Sequence, residues 1–197
     1  MLMKYGFISL LITVLTIVTL PGKVQAVSGD NAPNAPSGFE WFSMPEIKAK
    51  FLKPKGWFTH HETIEGTESY SISLENVEIE KSFRTGLSVN CVSHVSDKAK
   101  MWAKQYARAF HELIKNDTTV TLISEWENPQ NPFVVYGMQY TKTTPGLDTV
   151  TIHQLLIANE KTDRLYVVSF ESPTDLWGAA WSLGSEMVTK FILDENF

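Results

Sequence analysis

Residues 165–177 read LYVVSFESPTDLW, and this stretch decides the fold because a strand passes directly into a helix start within it. Apolar residues from Leu165 to Phe170 fall on both faces of an extended chain, which is typical of a central strand covered on both sides. Ser172 and Pro173 then match a helix N-terminus, where a hydroxyl caps free N–H groups and proline fits the first turn. The stretch therefore predicts a sheet that this strand joins and a helix that covers it.

The predicted closing helix runs to Leu193 and carries an apolar stripe at helical spacing. Trp177 and Trp181 lie on that stripe, so we expect both rings in the core. Gly184 lies on the same stripe, although glycine costs about 1 kcal/mol relative to alanine inside a helix. We therefore expect Gly184 to mark a close approach between the helix and the sheet.

Four strand-like runs with short connections fill the second half of the chain, at residues 120–127, 133–142, 149–158 and 164–170. Turns of this length join antiparallel neighbours, because a parallel crossover needs a dozen or more residues. The pattern predicts a meander in sequence order. A helix from Ser96 through Ile114 precedes it, with Trp102 on its apolar stripe and His111 off it.

The first half of the chain adds further strands, at residues 57–62, 69–75 and 87–95. In the second of these, Tyr70, Ile72 and Leu74 alternate with three serines, which predicts a strand with one wet face. The element order predicts an α+β domain with a central antiparallel sheet and helices on opposite faces.

The chain begins with a stretch typical of a secretory leader. Lys4 precedes a long apolar run that ends at Pro21, and small residues lead up to Ala26. We expect a signal peptide at 1–26, a disordered linker at 27–38 and one domain at 39–197. The alternative for the leader is an uncleaved N-terminal anchor.

Charge and cysteine content narrow the class of protein. Removing the leader lysines, Lys4 and Lys23, takes the formal net charge from −5 to −7, which argues against nucleic-acid binding. The sequence has one cysteine, Cys91, so the domain folds without an internal disulfide. Cys91 shares a strand face with Leu87 and Val89, and we expect it to be a buried apolar residue.

The candidate binding residues are Trp57, His60, His61 and Glu62. On a strand His60 and Glu62 share a face while His61 points the other way, so the cluster offers two metal ligands at most. Trp57 is a candidate for contact with a partner. We assign no catalytic, cofactor or metal residue, and His60 with Glu62, or His153, remains the alternative for an enzyme or a weak metal site.

Familiar catalytic motifs are incomplete in this sequence. His111-Glu112 matches the start of the metalloprotease helix H-E-x-x-H, but Lys115 stands where the second histidine belongs. Gly86-Leu-Ser-Val-Asn90 lacks the second glycine of the hydrolase elbow G-x-S-x-G.

Three stretches resemble the PsbP-like family, whose fold is shared with the Mog-type Ran-binding proteins. They are PKGW at 54–57, GLSVN at 86–90 and RLYVVSFESPTDLW at 164–177. The resemblance implies a three-layer α/β/α sandwich and a non-enzymatic binding or accessory role. We therefore expect an exported protein, periplasmic or secreted, that acts as a monomer on a protein partner or small ligand, without a cofactor or a membrane span after cleavage.

Overall fold

The structure is a computed structural model that describes residues 25–26 and 32–197. Its strands are β1 (Gln25–Ala26), β2 (Phe39–Met44), β3 (Ala49–Pro54), β4 (Phe58–Ile64), β5 (Thr67–Ser73), β6 (Gly86–Ser93), β7 (Val120–Gln130), β8 (Phe133–Lys142), β9 (Val150–Asn159), β10 (Arg164–Pro173) and β11 (Phe191–Leu193). Its helices are α1 (Val77–Glu80), α2 (Val95–Ala99), α3 (Ala103–Lys115) and α4 (Trp177–Thr189), with a short 3-10 helix at Pro45–Ile47.

A seven-stranded antiparallel sheet in the order β4-β5-β6-β10-β9-β8-β7 forms the centre of the domain. Strands β7 to β10 pair antiparallel in chain order, which confirms the predicted meander. The stretch that decides the fold lies on β10, between β9 and β6. Tyr166, Val168 and Phe170 are buried on one face of β10, whereas on the other face Leu165 is buried and Val167 and Ser169 are half-buried. The predicted cover is therefore complete on one face and partial on the other.

The two faces of the sheet carry separate hydrophobic clusters. Leu156 and Leu165 lie in the cluster under α3, whereas Tyr166, Val168 and Phe170 lie in the cluster that includes residues of α4. The two helices therefore cover opposite faces, as predicted. The domain is an α+β fold of three layers, with the antiparallel sheet in the middle.

A second, smaller sheet in the order β1-β11-β3-β2 lies on the α4 side, and the sequence did not predict it. The Phe51 ring on β3 stacks on Phe191 of β11, with 5.2 Å between the ring centroids. The predicted helix extension through Leu193 is therefore wrong. α4 ends at Thr189, and the chain continues as β11 along β3.

The start of the closing helix also differs from the prediction. Strand β10 continues through Ser172 and Pro173, and α4 begins at Trp177. The Ser172 hydroxyl is buried and lies 3.3 Å from the Thr85 hydroxyl, so it does not cap the helix. Ten residues of β10 pair with β9, and this ladder extends the strand beyond the residues that resemble a cap.

The predicted apolar stripe of α4 is confirmed at Gly184 and only partly confirmed at Trp177 and Trp181. A Cβ atom on Gly184 would lie 2.4 Å from the Phe170 ring, which confirms the expected close approach. Trp177 and Trp181 are half-buried and stack on each other with 4.9 Å between ring centroids. Both rings pack against the core cluster from its outer side, so the prediction that they lie in the core is only partly right.

The helix predicted from Ser96 is two helices, α2 and α3, separated at Lys100 to Trp102. Lys100 has a left-handed backbone with φ of 58°, which ends α2. Trp102 lies in this break, outside α3, and is exposed, whereas His111 follows Ala103 and Ala107 at a spacing of four residues and is buried. The sequence predicted Trp102 on the buried side of the helix and His111 on the exposed side, and both predictions are wrong.

The predicted leader falls mainly outside the described residues, and the linker falls partly outside them. Within the described part, the Pro33 carbonyl accepts a hydrogen bond of 2.6 Å from the Trp41 indole, and Ala35 packs against the core. Among residues 25–26 and 32–197, no helix has the length and apolar character needed to span a membrane.

Candidate functional site

His61 of the predicted cluster is held on the α4 side of the sheet. Its Nε2 lies 2.9 Å from the Glu68 carboxylate, and its ring stacks on Tyr70 with 4.1 Å between centroids. The Tyr70 hydroxyl donates a short hydrogen bond to Glu46, which lowers the pKa of that carboxyl. Burial and the same Glu46 raise the pKa of Tyr70. His61 therefore belongs to a self-contained polar chain.

His60 and Glu62 lie on the other face of β4, as the alternation predicted. They are opposite Ser71 and Ser69 of β5, and side chains of directly paired residues share a face. His60 Nδ1 is 4.0 Å from Glu78, and Glu62 is exposed. No group of three or more potential metal ligands forms in the part of the chain that the structure describes.

Trp57 lies just before β4 and is half-buried against the core cluster on the α4 side. Its carbonyl accepts a hydrogen bond of 3.2 Å from Lys53. The indole is therefore partly exposed to solvent, and its contacts within the domain are with the hydrophobic core.

His153, the alternative base, lies on β9 beneath α4. Its ring is 4.8 Å from the Trp181 ring, and its Nδ1 is buried without a hydrogen-bond partner. Burial lowers the pKa of His153 to about 4, so the ring is neutral at pH 7. The surroundings of this histidine are those of a core residue.

A cleft between α3 and β7, of about 240 Å³, gathers the half motif His111-Glu112 with Glu125 of β7. His111 is 8% exposed, and its two ring nitrogens lie 3.8 Å from Glu112 and 3.6 Å from Glu125. Lys115 donates to Glu125 at 2.7 Å, which raises the pKa of the lysine and lowers that of the carboxyl. Lys115, which stands where the second histidine of H-E-x-x-H belongs, therefore forms an ion pair with Glu125.

A polar surface that sequence reasoning did not assemble lies on the α3-side face of the sheet. The strand registers place its side chains on one face of four adjacent strands. We call it the polar face, and it comprises Ser69 and Ser71 of β5, Ser88 and Asn90 of β6, Ser169 and Glu171 of β10, and Gln154 of β9. His60 and Glu62 extend it onto β4.

The position of α3 explains why the polar face keeps contact with solvent. The helix packs mainly on β9, with further contacts to β7, β8 and β10. Ser69, Ser88, Asn90 and Ser169 are half-buried on the strands towards the β4 edge. These hydroxyl and amide groups are fixed by the sheet backbone and remain reachable.

Two deeper groups of the polar face lack hydrogen-bond partners. Gln154 donates to the Ser169 hydroxyl at 2.9 Å, but its own Oε1 is buried and unpartnered, as is the Ser71 hydroxyl. Burial raises the pKa of the neighbouring Glu171 carboxyl. Each unsatisfied buried group needs a physical explanation, such as a bound molecule or a water, and neither these groups nor the raised pKa of Glu171 define a reaction.

These features define the class of protein: a three-layer α+β domain whose open sheet half presents fixed hydrogen-bonding groups. No protein-family model matches the chain, and no curated protein matches it in sequence. A solved structure of cyanobacterial PsbP from Synechocystis is similar over 84% of this chain and 98% of its own, at 17% identity and a TM-score of 0.50. The fold is therefore PsbP-like.

Two further solved structures resemble the chain with lower TM-scores. The Ran-binding protein Mog1p of Saccharomyces cerevisiae covers 78% of this chain and 94% of its own, at 18% identity and a TM-score of 0.47. LpqN of Mycobacterium tuberculosis, involved in cell envelope biogenesis, covers 82% of this chain and 81% of its own, at 7% identity and a TM-score of 0.42.

Part of the polar face could have been found from sequence. The serines at 69, 71 and 73 alternate with buried apolar residues, and this signal marks one wet face of β5. The alignment of those serines with Asn90, Ser169 and Gln154 depends on strand order and register. Neither follows from local patterns, because β6 and β10 are far apart in sequence.

Proposed function

We propose that the protein is an exported, non-catalytic binding protein that acts through a protein partner or a small ligand. The observation that carries this proposal is the polar face. Its hydroxyl and amide groups lie on adjacent paired strands, so their spacing is set by the sheet. Such groups orient a bound molecule through hydrogen bonds, and a rigid sheet loses little conformational freedom on binding.

The surroundings of His61, His111 and His153 support binding rather than proton transfer. A hydroxyl nucleophile is activated by a base held within hydrogen-bonding distance. His61 is instead bonded to Glu68, His111 lies between two glutamates, and His153 packs against Trp181. The hydroxyl nearest to Gln154, that of Ser169, accepts a bond from an amide.

An extracytoplasmic location is the second part of the proposal. The leader pattern at residues 1–26 supports it, because a positive start, an apolar run and small residues near Ala26 are typical of export signals. The domain is stabilised by its hydrophobic core, and its cysteine, Cys91, is free and buried. Such a domain is compatible with an oxidising compartment.

A comparative pull-down tests the binding role. Protein expressed from the full chain is immobilised and exposed to an envelope extract of its own cells, and Asn90→Arg is compared with Asn128→Arg. Asn90 lies on the polar face, whereas Asn128 is half-buried on the opposite face of β7. We expect Asn90→Arg to lose the captured partner and Asn128→Arg to retain it. Equal capture by both variants would contradict a role for the polar face.

A further inference from the structure

The two edges of the seven-stranded sheet are protected to different degrees. Strand β7 has a register shift between Leu122 and Ser124 and carries Pro129, and both features hinder pairing with another strand. Strand β4 pairs with β5 without a shift over its whole length, and its sequence, FTHHETI, contains neither proline nor lysine. The outer side of β4 therefore lacks the bulge, proline and lysine that hinder pairing, while the short helix α1 contacts this strand and its Glu78 lies 4.0 Å from His60.

The turn between β4 and β5 determines which backbone groups of β4 face outward. Glu65 and Gly66 have φ angles of 50° and 72°, which is typical of a two-residue type I′ turn. In such a turn Ile64 and Thr67 form a hydrogen-bonded pair, so the backbone of Ile64 faces β5. Because the direction alternates along a strand, the N–H and C=O groups of Thr59, His61 and Thr63 point to the open edge.

The sequence of β4 is complementary to itself when read antiparallel about its central residue, His61. In that register Thr59 lies opposite Thr63, His60 opposite Glu62, and Phe58 opposite Ile64 of the second strand. The pairs are hydroxyl with hydroxyl, imidazole with carboxylate, and apolar with apolar. At the centre His61 lies opposite His61 of the second strand, and each of these rings has Glu68 of its own chain 2.9 Å from Nε2. Cross-strand pairs of these kinds stabilise a sheet, whereas like charges directly opposite destabilise it.

We infer that β4 pairs antiparallel with β4 of a second copy of this chain, centred on His61. The outward backbone groups of Thr59, His61 and Thr63 form about six hydrogen bonds with their counterparts. Phe58 and Ile64 are 45% and 52% exposed in the single chain, and this pairing covers both. The two seven-stranded sheets then form one continuous sheet, and the polar faces of both copies lie on the same side.

The size of the contact sets its strength. A pairing confined to one short edge strand falls below the roughly 1,200 Å² that stable complexes bury, so the dimer is weak and depends on concentration. At low concentration the protein is then the monomer that we expected from the sequence, and the dimer forms only at high concentration. This inference does not require the proposed binding function, and a partner at the polar face leaves the β4 edge free.

A backbone test separates hydrogen bonding at the edge from side-chain effects. Thr63→Pro removes an outward N–H without removing a bond to β5, and Thr63→Val keeps that N–H. Both variants lose the bond of 2.9 Å from the threonine hydroxyl to Glu68, so they are matched. Sedimentation velocity on protein expressed from the full chain measures the mass from micromolar to millimolar concentration, and thermal melting checks folding.

We expect the average mass of the wild type and of Thr63→Val to rise with concentration, while Thr63→Pro stays monomeric. A wild type that stays monomeric at millimolar concentration overturns the inference, as does Thr63→Pro association equal to that of the wild type.

A charge exchange tests the register and remains informative if Thr63→Pro unfolds. His60→Glu places a second carboxylate opposite Glu62 of the other copy, twice per dimer, and we expect about tenfold weaker association. The double variant with His60→Glu and Glu62→His again places an imidazole opposite a carboxylate, so it should regain most of the affinity. An exchange variant as weak as the single variant contradicts the proposed pairing.

Discussion

Gly184→Ala tests how tightly α4 packs on the sheet. The added Cβ would lie 2.4, 2.5 and 2.6 Å from three carbons of the Phe170 ring, well inside any normal contact. Phe170 is fully buried, and its ring also lies near Trp177 and Trp181, with centroids 5.8 and 6.0 Å away. The ring therefore has little room to move aside.

The expected magnitude follows from two opposing terms. Alanine in place of glycine stabilises a helix by about 1 kcal/mol, whereas overpacking a well-filled core costs about 1–3 kcal/mol. Because the clash is with a fully buried ring, we expect the upper end of that cost. The net loss in the free energy of unfolding is then about 2 kcal/mol.

Gly178→Ala is the matched control on the same helix, since a Cβ there meets nothing within 4 Å. We expect that variant to be neutral or to gain up to about 1 kcal/mol. Urea unfolding followed by circular dichroism measures both variants against the wild type. Equal midpoints for the two alanine variants would refute the packing of Gly184 on Phe170.

Three further predictions address stability and processing. Because burial lowers the pKa of His153 from 6.5 to about 4, its protonation favours the unfolded chain, so stability present above pH 6.5 is lost as the pH falls towards 4. Urea unfolding at pH 7 and pH 5 should show the wild type losing about 2 kcal/mol more than His153→Phe, and equal losses would contradict the burial of this ring. Trp181→Ala should lower the free energy of unfolding by about 2–3 kcal/mol, below the usual cost for a fully buried aromatic because the ring is half-buried, and a loss under about 1 kcal/mol would place it outside the packed layer. Mass spectrometry should find a mature N-terminus at Val27, and a product that begins at Met1 would exclude cleavage after Ala26.

The meander could be predicted because its information is local. Each of its strands shows apolar alternation or a continuous apolar run, and each connection is too short for a crossover. The central position of β10 could also be predicted, since Tyr166, Val168 and Phe170 alternate with Leu165 and Val167. Pairing in chain order and cover on both faces follow from these two facts.

Other parts of the fold depend on events that a local pattern does not record. Three residues after α4 form β11 because Phe191 stacks on Phe51, which is far away in the sequence. A left-handed residue at Lys100 ends α2, and His111 is buried on α3 at a spacing of four residues after Ala107. The cleft at His111 and the polar face were missed because both depend on how elements that are distant in the sequence pack or pair.

In-cell photo-crosslinking tests the central claim, binding through the polar face, most directly. A photoreactive amino acid replaces Ser88 on the polar face or, as a control, Leu147, which is 71% exposed in the turn between β8 and β9. We predict a discrete crosslinked species from position 88 under illumination and none from position 147. Crosslinks of equal yield from both positions, or from position 147 alone, would contradict the account.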